Sequence, residues 1–197
     1  MDDFGHLLNS LPDLTLEQAA TLKLLFEKSR DPENVGKLFT TIYPQELRQG
    51  DILQNVPFEC FMPNNEIISR RSYGIIVSCT CDFEQRESVL LAPADDLDFI
   101  EQAFCEHPEK AQRIKALRNN FVAEIFSVPQ FTHNPELFFD FSRTNCYSVG
   151  FIKENVQDNA ITRVASLSYS GYYLFLMKLC GYLLRRENPA DIPRERP

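Results

Sequence analysis

The chain has 197 residues, of which 44% are hydrophobic and 12% aromatic, and this is enough to bury one sizeable core. Its formal net charge is -8, which argues against a general affinity for nucleic acid or anionic membrane, because phosphate binding depends on clustered lysine and arginine. We therefore expect a single domain over residues 1–187, followed by a flexible tail over 188–197.

The start of the chain and its cysteines indicate a reducing compartment. Met1-Asp2-Asp3 opens acidic, and the first hydrophobic residues are interrupted, so the pattern differs from a signal peptide and predicts a cytoplasmic protein. Six cysteines are too few and too scattered for a secreted disulfide framework. Free cysteine behaves as a small apolar residue, which predicts that these thiols pack in the core.

Helical and strand patterns follow one another along the chain. Residues 1–43 form a predicted helical segment, in which Thr15 and Gln18 have the spacing of a capping box. From Gly50 the pattern is typical of strands and turns, and residues 44–168 are predicted to form the β domain. Short strands are predicted in the segments "GDILQNVPFECF", "IISRRSYGIIVSCTCD", "VLLAP", "FVAEIFSVP", "ELFFDFS" and "CYSVGFI".

Two further helical regions interrupt and close this β domain. A helical pair is predicted at about residues 95–119, with a break at His107-Pro108. The turn-rich segment "KENVQDNA" is predicted to be a loop. A closing helix is predicted over residues 169–187 and is apolar nearly all round from Tyr172 to Leu184. It is too short for a membrane span, so we expect it to be buried against the domain or against a partner.

Residues 50–94 carry a recognisable order of short motifs. Gly50-Asp51-Ile52 begins a strand, Arg70-Arg71 precedes a strand ending at Ser78, and another strand ends at Pro93. This order resembles the core of the PemK/MazF family of toxin ribonucleases. The resemblance implies an α+β fold built on a small SH3-like β-barrel, with the N-terminal helix, the inserted helical pair and the C-terminal helix added to it.

The resemblance also implies a site for RNA cleavage, which needs an arginine and a hydroxyl residue after the proline. Arg71 matches the arginine position, but Asp95 and Asp96 stand where the family has threonine or serine, and Ser72 replaces a proline. Two carboxylates would repel a scissile phosphate and raise the cost of a dianionic transition state. We therefore expect that catalysis of the family type is absent.

A second resemblance extends over more of the chain. Gly50-Asp51, the segment Ser78–Asp82, Leu91-Ala92-Pro93, the segment Arg163–Ser168 and Arg185 resemble motifs of uncharacterised prokaryotic proteins with a Ser-x-x-Cys-Asp step. Some of those proteins look like genomic neighbours of defence or toxin-antitoxin modules. This resemblance implies a biological context for the chain and names no chemistry.

The turn Cys79-Thr80-Cys81-Asp82 admits three interpretations. Alternation along a strand would place Cys79 and Cys81 on one face, where the thiols could share a zinc ion, although the spacing lacks the usual two-residue spacer. A nucleophilic cysteine would need a base such as His107 or His133. The simplest interpretation packs Cys79 in the core and places Asp82 at a turn.

These observations favour a non-catalytic protein-interaction module of a prokaryotic defence or toxin-antitoxin-like system, without a cofactor or metal. A protein partner is expected, a homodimer is the usual outcome for the barrel family, RNA is disfavoured and a membrane is not expected. The candidate binding residues are Arg70, Arg71, Cys79, Cys81, Asp82, Asp95 and Asp96. Two alternatives stay open: a small-ligand or metal sensor, and a metal-independent endoribonuclease with an altered site. Its candidate catalytic residues are Arg71, Ser72, Ser78, Thr80 and Asp82.

Overall fold

The computed structural model describes residues 32–40, 45–61 and 66–183. The described strands are β1 (Asp51–Phe61), β2 (Ile67–Ile76), β3 (Ser88–Asp96), β4 (Ile125–Val128), β5 (Leu137–Asp140), β6 (Asn145–Ser148) and β7 (Thr162–Ser166). The described α-helices are α1 (Pro32–Val35), α2 (Asp82–Gln85), α3 (Leu97–Ala103), α4 (Lys110–Arg118), α5 (Val149–Gln157) and α6 (Tyr169–Leu183). Two short 3-10 turns lie at Gly36–Leu38 and Phe141–Arg143.

All seven strands join one antiparallel sheet in the order β4-β5-β3-β2-β1-β7, with β6 beside β3. Strand β3 is shared: its end, Ala94–Asp96, pairs with β5, and its start, Ser88–Leu91, pairs with β6. Strands β5 and β6 thus follow the same edge of β3, separated by the second 3-10 turn. The predicted α+β class is confirmed.

The sheet is not closed. Strands β4 and β7 stand at its two ends, and within the described ranges no pairing joins them. The SH3-like barrel that we expected is therefore not confirmed. Helix α6 packs beside both end strands: its Phe175 lies edge-on to Phe126 of β4, with ring centroids 5.6 Å apart, in a buried cluster that also contains Ala165 of β7.

Helices cover both faces of the sheet. Neighbouring residues of one strand enter different cores: Ile75 packs in the core beneath α6, and Ile76 packs in the core beneath α2 and α5. This is the alternation of side chains expected along a strand. Both faces of the sheet are buried at the end of β2, residues 74–76, and over residues 91–94 of β3, and these stretches are continuous apolar runs.

Helix α6 belongs to the core of its own chain. Its Leu174, Phe175 and Met177 are buried in the cluster that also contains Leu38 and Phe141. A close approach anchors its first turn, because a Cβ atom at Gly171 would lie 2.1 Å from the backbone oxygen of Leu38. Packing within the chain, the first of the two fates that we expected for the closing helix, is the one observed.

The remaining predictions for elements have mixed outcomes. The inserted helical pair is confirmed as α3 and α4. The segment "KENVQDNA", which we expected to be a loop, contributes to α5 instead, because Ser148 Oγ accepts a hydrogen bond from the Phe151 backbone N–H at 3.1 Å and caps a helix there. The predicted helix near Thr15 and the tail over 188–197 lie outside the described residues. None of the described helices has the length and apolar character needed to cross a membrane.

Candidate functional site

The predicted site residues fall into two groups at different places along β2. Arg70, Arg71 and Ser72 lie in the middle of the strand, and Arg70 bonds to Asp95 of β3. The segment Ser78–Asp82 follows the end of the strand at Ile76 and leads into α2. The two groups therefore do not share one pocket, and each has its own set of contacts.

In the first group, Asp95 is held between two arginines. Its side chain is only 7% exposed, and its Oδ1 and Oδ2 atoms bond to Arg70 and Arg143 respectively. Arg143 also donates to Asp140 at 2.8 Å. Burial disfavours the charged form of Arg143, but the two carboxylates outweigh it and raise the pKa of Arg143. A buried carboxylate is tolerable in this form because both of its oxygens are bonded to cations.

The other residues of this group also have structural partners. Asp96 caps α3 by accepting a hydrogen bond from the backbone N–H of Phe99 at 2.8 Å. The guanidinium of Arg71 donates to the Asn55 carbonyl at 3.0 Å, and Ser72 Oγ donates to the Ala94 carbonyl at 2.6 Å. The predicted arginine and hydroxyl candidates on β2 thus bond to the sheet and its turns.

The second group forms a turn that ends β2. The backbone N–H of Asp82 donates to the Cys79 carbonyl at 2.9 Å, and Asp82 pairs with Arg86 at 2.9 Å. Ser78 is buried, and its Oγ accepts a hydrogen bond from the backbone N–H of Leu90 at 2.8 Å. The alternating strand that we expected through Cys81 is wrong, because the ladder stops at Ile76.

The thiols in this turn face the solvent. The prediction that Cys79 packs in the core is wrong, because Cys79 and Cys81 are both exposed. Cys81 Sγ donates a hydrogen bond to Cys79 Sγ at 3.0 Å. The wider prediction of core thiols is also wrong: Cys105 and Cys146 are exposed, and Cys60 and Cys180 are half-buried.

A buried aspartate beside this turn joins distant parts of the chain. Asp51 is 1% exposed and accepts hydrogen bonds from Ser166 Oγ at 2.6 Å, Arg163 Nη1 at 3.1 Å and the Arg48 backbone N–H at 3.0 Å. Gly50 precedes it with φ of 85°, a conformation that favours glycine, and its N–H donates to the Ile76 carbonyl at 2.9 Å. Sequence analysis identified Gly50-Asp51 and the segment Arg163–Ser168 as motifs. No pattern in the sequence indicated that these motifs, more than one hundred residues apart, are in contact.

A polar groove lies where these segments meet. We call it the Asp51 groove; its volume is about 460 Å³, and the lining residues used below are Asp51, Thr80, Ser166, Ser168, Tyr169 and Tyr172. Gln49 bridges two of its walls: its backbone N–H donates to Thr80 Oγ1 at 3.2 Å, and its Oε1 accepts a hydrogen bond from Tyr172 OH at 2.8 Å. Burial, followed by the nearby thiols Cys79 and Cys180, raises the pKa of Tyr172.

A second groove lies on the other side of Thr80. It has a volume of about 370 Å³, and Phe83, Glu84 and Lys153 line it together with Thr80. Lys153 Nζ donates to the Phe83 carbonyl at 3.1 Å, which ties α5 to the first turn of α2. Thr80 of the Cys79–Asp82 turn therefore lines both grooves.

The Asp51 groove is lined by groups that can form hydrogen bonds. Its volume lies in the range of small-ligand pockets, and its hydroxyl and amide groups can donate and accept hydrogen bonds. Among the described residues, no group of three or more histidine, cysteine, aspartate or glutamate side chains is placed to hold a metal ion. The groove thus offers polar recognition.

In comparisons with known proteins, no family model matches this chain. A search of curated proteins likewise finds no match.

Proposed function

We propose that this protein is a non-catalytic binding module that recognises a protein partner through the Asp51 groove, in a prokaryotic defence or toxin-antitoxin-like system. One observation carries the proposal: Asp95, at the position where the resemblance would require a catalytic hydroxyl, bonds to Arg70 and Arg143. The cationic groups nearest to that position are thus already neutralised within the molecule.

Phosphate binding at this place would have a high free-energy cost. An incoming phosphate would have to displace the buried carboxylate from its two arginines or lie beside it, and either event leaves a desolvated charge without a partner. Arg71 is exposed, but its guanidinium donates to the Asn55 carbonyl. These contacts support a structural role for residues 50–94, the part of the chain that resembles the toxin family. The proposal includes a relation between this part of the sheet and the SH3-like barrel of that family.

The Asp51 groove supports the binding half of the proposal. Three segments that are far apart in sequence, at Gly50-Asp51, Ser78–Asp82 and Arg163–Ser168, come together around it. Tyr169, which is 58% exposed, lines the groove and offers an amphipathic side chain at its edge. Tyrosine is enriched in protein interfaces because it combines contact area with a hydrogen-bonding group.

The altered endoribonuclease is the outcome that would overturn this proposal. Purified full-length protein is incubated with long single-stranded RNA in the presence of a metal chelator, and the fragments are resolved by electrophoresis. We expect no cleavage above that of the buffer. Cleavage that the wild type shows, that Arg71→Ala abolishes and that the control Arg113→Ala retains would contradict a non-catalytic function.

A small-ligand sensor is the second candidate function, and the exposed thiol pair favours it. Cys79 and Cys81 flank Thr80, which lines both grooves. Elemental analysis of the purified protein tests the metal form of this candidate. One equivalent of a thiophilic metal, lost in Cys81→Ser and kept in Cys105→Ser, would support a metal sensor, whereas a metal-free protein would contradict it.

A further inference from the structure

The two thiols of the Cys79–Asp82 turn are closer than a strand would hold them. Residues two apart in an extended strand are about 6.6 Å apart along the chain. The turn closed by Asp82 N–H and the Cys79 carbonyl shortens this separation and brings the two sulfurs to 3.0 Å. A disulfide bond needs the Cα atoms within about 7 Å, a condition that residues two apart in such a turn meet.

Both sulfurs are accessible, and they differ in their roles within the pair. The side chains of Cys79 and Cys81 are exposed, so a reagent in solution reaches them without unfolding. Cys81 Sγ donates the hydrogen bond to Cys79 Sγ, and this hydrogen bond raises the pKa of Cys81. Cys79 Sγ is the acceptor, and its lone pair faces the partner thiol.

We propose that Cys79 and Cys81 form a redox-active dithiol that exchanges with low-molecular-weight disulfides. In the first step the thiolate of Cys79 attacks one sulfur of the small disulfide, forms a mixed disulfide and releases one small thiolate, which takes up a proton. Cys81 then loses its proton and attacks the Cys79 sulfur, which forms the Cys79–Cys81 disulfide and releases a second small thiol. The protein loses two electrons and two protons, and the small disulfide is reduced to two thiols.

The position of the pair gives this exchange a structural consequence. Thr80 lies between the two cysteines, lines both grooves, and accepts the hydrogen bond from the Gln49 N–H. Closing a ring through Cys79 and Cys81 constrains the backbone of Thr80. The oxidation state of the turn is thereby linked to the shape of both grooves, whether or not the Asp51 groove binds a protein.

Mass spectrometry of the full-length protein tests the exchange. Reduced protein is incubated with excess oxidised glutathione, free thiols are blocked with an alkylating reagent, and tryptic peptides are mapped. We expect the peptide that contains Cys79 and Cys81 to be about 2 Da lighter, to carry no alkyl group and to regain two alkyl groups after treatment with dithiothreitol. Cys105→Ser, which removes an exposed thiol outside the turn, is expected to behave as the wild type does.

Single substitutions separate exchange from unspecific oxidation. Cys81→Ser lacks the resolving thiol, so we expect it to retain one glutathione adduct on Cys79, whereas the wild type retains none. Because both thiols are exposed, the serine variants remain folded. The proposal is overturned if Cys79 and Cys81 both stay open to alkylation in the wild type, if the wild type accumulates the adduct, or if either thiol instead pairs with another cysteine.

Discussion

At the residue scale, the molecule depends on buried charges that have bonding partners. Asp95 shows this most clearly, since its side chain is 7% exposed and is bonded to two arginines. The sequence allowed Asp95 to be picked out, because it follows Pro93 at an unusual position. Its partner Arg143 could not be predicted, since 48 residues separate the two and no local pattern links them.

Removal of the Asp95 carboxylate is expected to leave two neighbouring guanidinium groups without a counter-charge. We expect Asp95→Ala to lower the free energy of unfolding by about 3 kcal/mol, less than for a fully buried pair because both arginines are partly exposed. Asp98→Ala, an exposed acid on α3, serves as the control and should change it by less than about 0.5 kcal/mol. Urea denaturation measures both values, and equal values for the two variants would contradict a bonded role for Asp95.

Lys178 is a buried cation and makes the stability of the fold depend on pH. Its ammonium group donates to the carbonyls of Asn120 and Val122 at 2.9 and 2.6 Å, and burial lowers its pKa from 10.5 to about 8. The unfolded chain therefore binds more protons at this position between pH 8 and pH 10.5. Across that window the contribution of Lys178 makes the free energy of unfolding rise with pH.

The measurement compares wild type with Lys178→Met in denaturant titrations at several pH values. Relative to Lys178→Met, the free energy of unfolding of the wild type should rise by about 1 kcal/mol per pH unit within this window. A difference between the two proteins that stays constant with pH would show that the ammonium group is not destabilised by burial.

At the element scale, the prediction of strands and helices succeeded where one local pattern dominates. The strands at Asp51–Phe61 and Ser88–Asp96 and the helix from Tyr169 follow from apolar runs bounded by turn residues. The helix Val149–Gln157 was missed because its apolar start resembles a strand, and the Ser148 cap that begins it is visible only in the structure. The open sheet was missed because the resemblance to a barrel family covered residues 50–94 and could not show how a distant helix covers the core.

Two glycines in α6 provide a matched test of how this helix is anchored. An alanine Cβ at Gly171 would lie 2.1 Å from Leu38 O, whereas at Gly181 no atom lies within 4 Å. We expect Gly171→Ala to lower the free energy of unfolding by at least about 2 kcal/mol, because the helix must move away from the backbone of Leu38. Gly181→Ala should raise it by about 0.5 kcal/mol through helix propensity. Thermal unfolding of both variants measures these changes, and equal changes in the free energy of unfolding would contradict the close approach at Gly171.

At the scale of the whole molecule, one antiparallel sheet lies between two helical layers and brings three separate segments to the end of β2. Asp51 joins them through Ser166, Arg163 and the backbone of Arg48. The sequence indicated each segment as a motif. Their convergence at one groove is a property of the folded chain, since it depends on the pairing of β1 with β7.

Amide hydrogen exchange of Asp51→Asn, compared with wild type, tests whether the Asp51 carboxylate unites the candidate site. Loss of the charged hydrogen bonds should weaken the network by about 1.5 to 3 kcal/mol, which corresponds to at least a tenfold faster local exchange in residues 48–51 and in β7. The region around Asp95 should exchange as in the wild type, and Asp98→Asn should change neither region. Unchanged exchange in β7 would contradict the proposal that Asp51 holds the separate segments together around one groove.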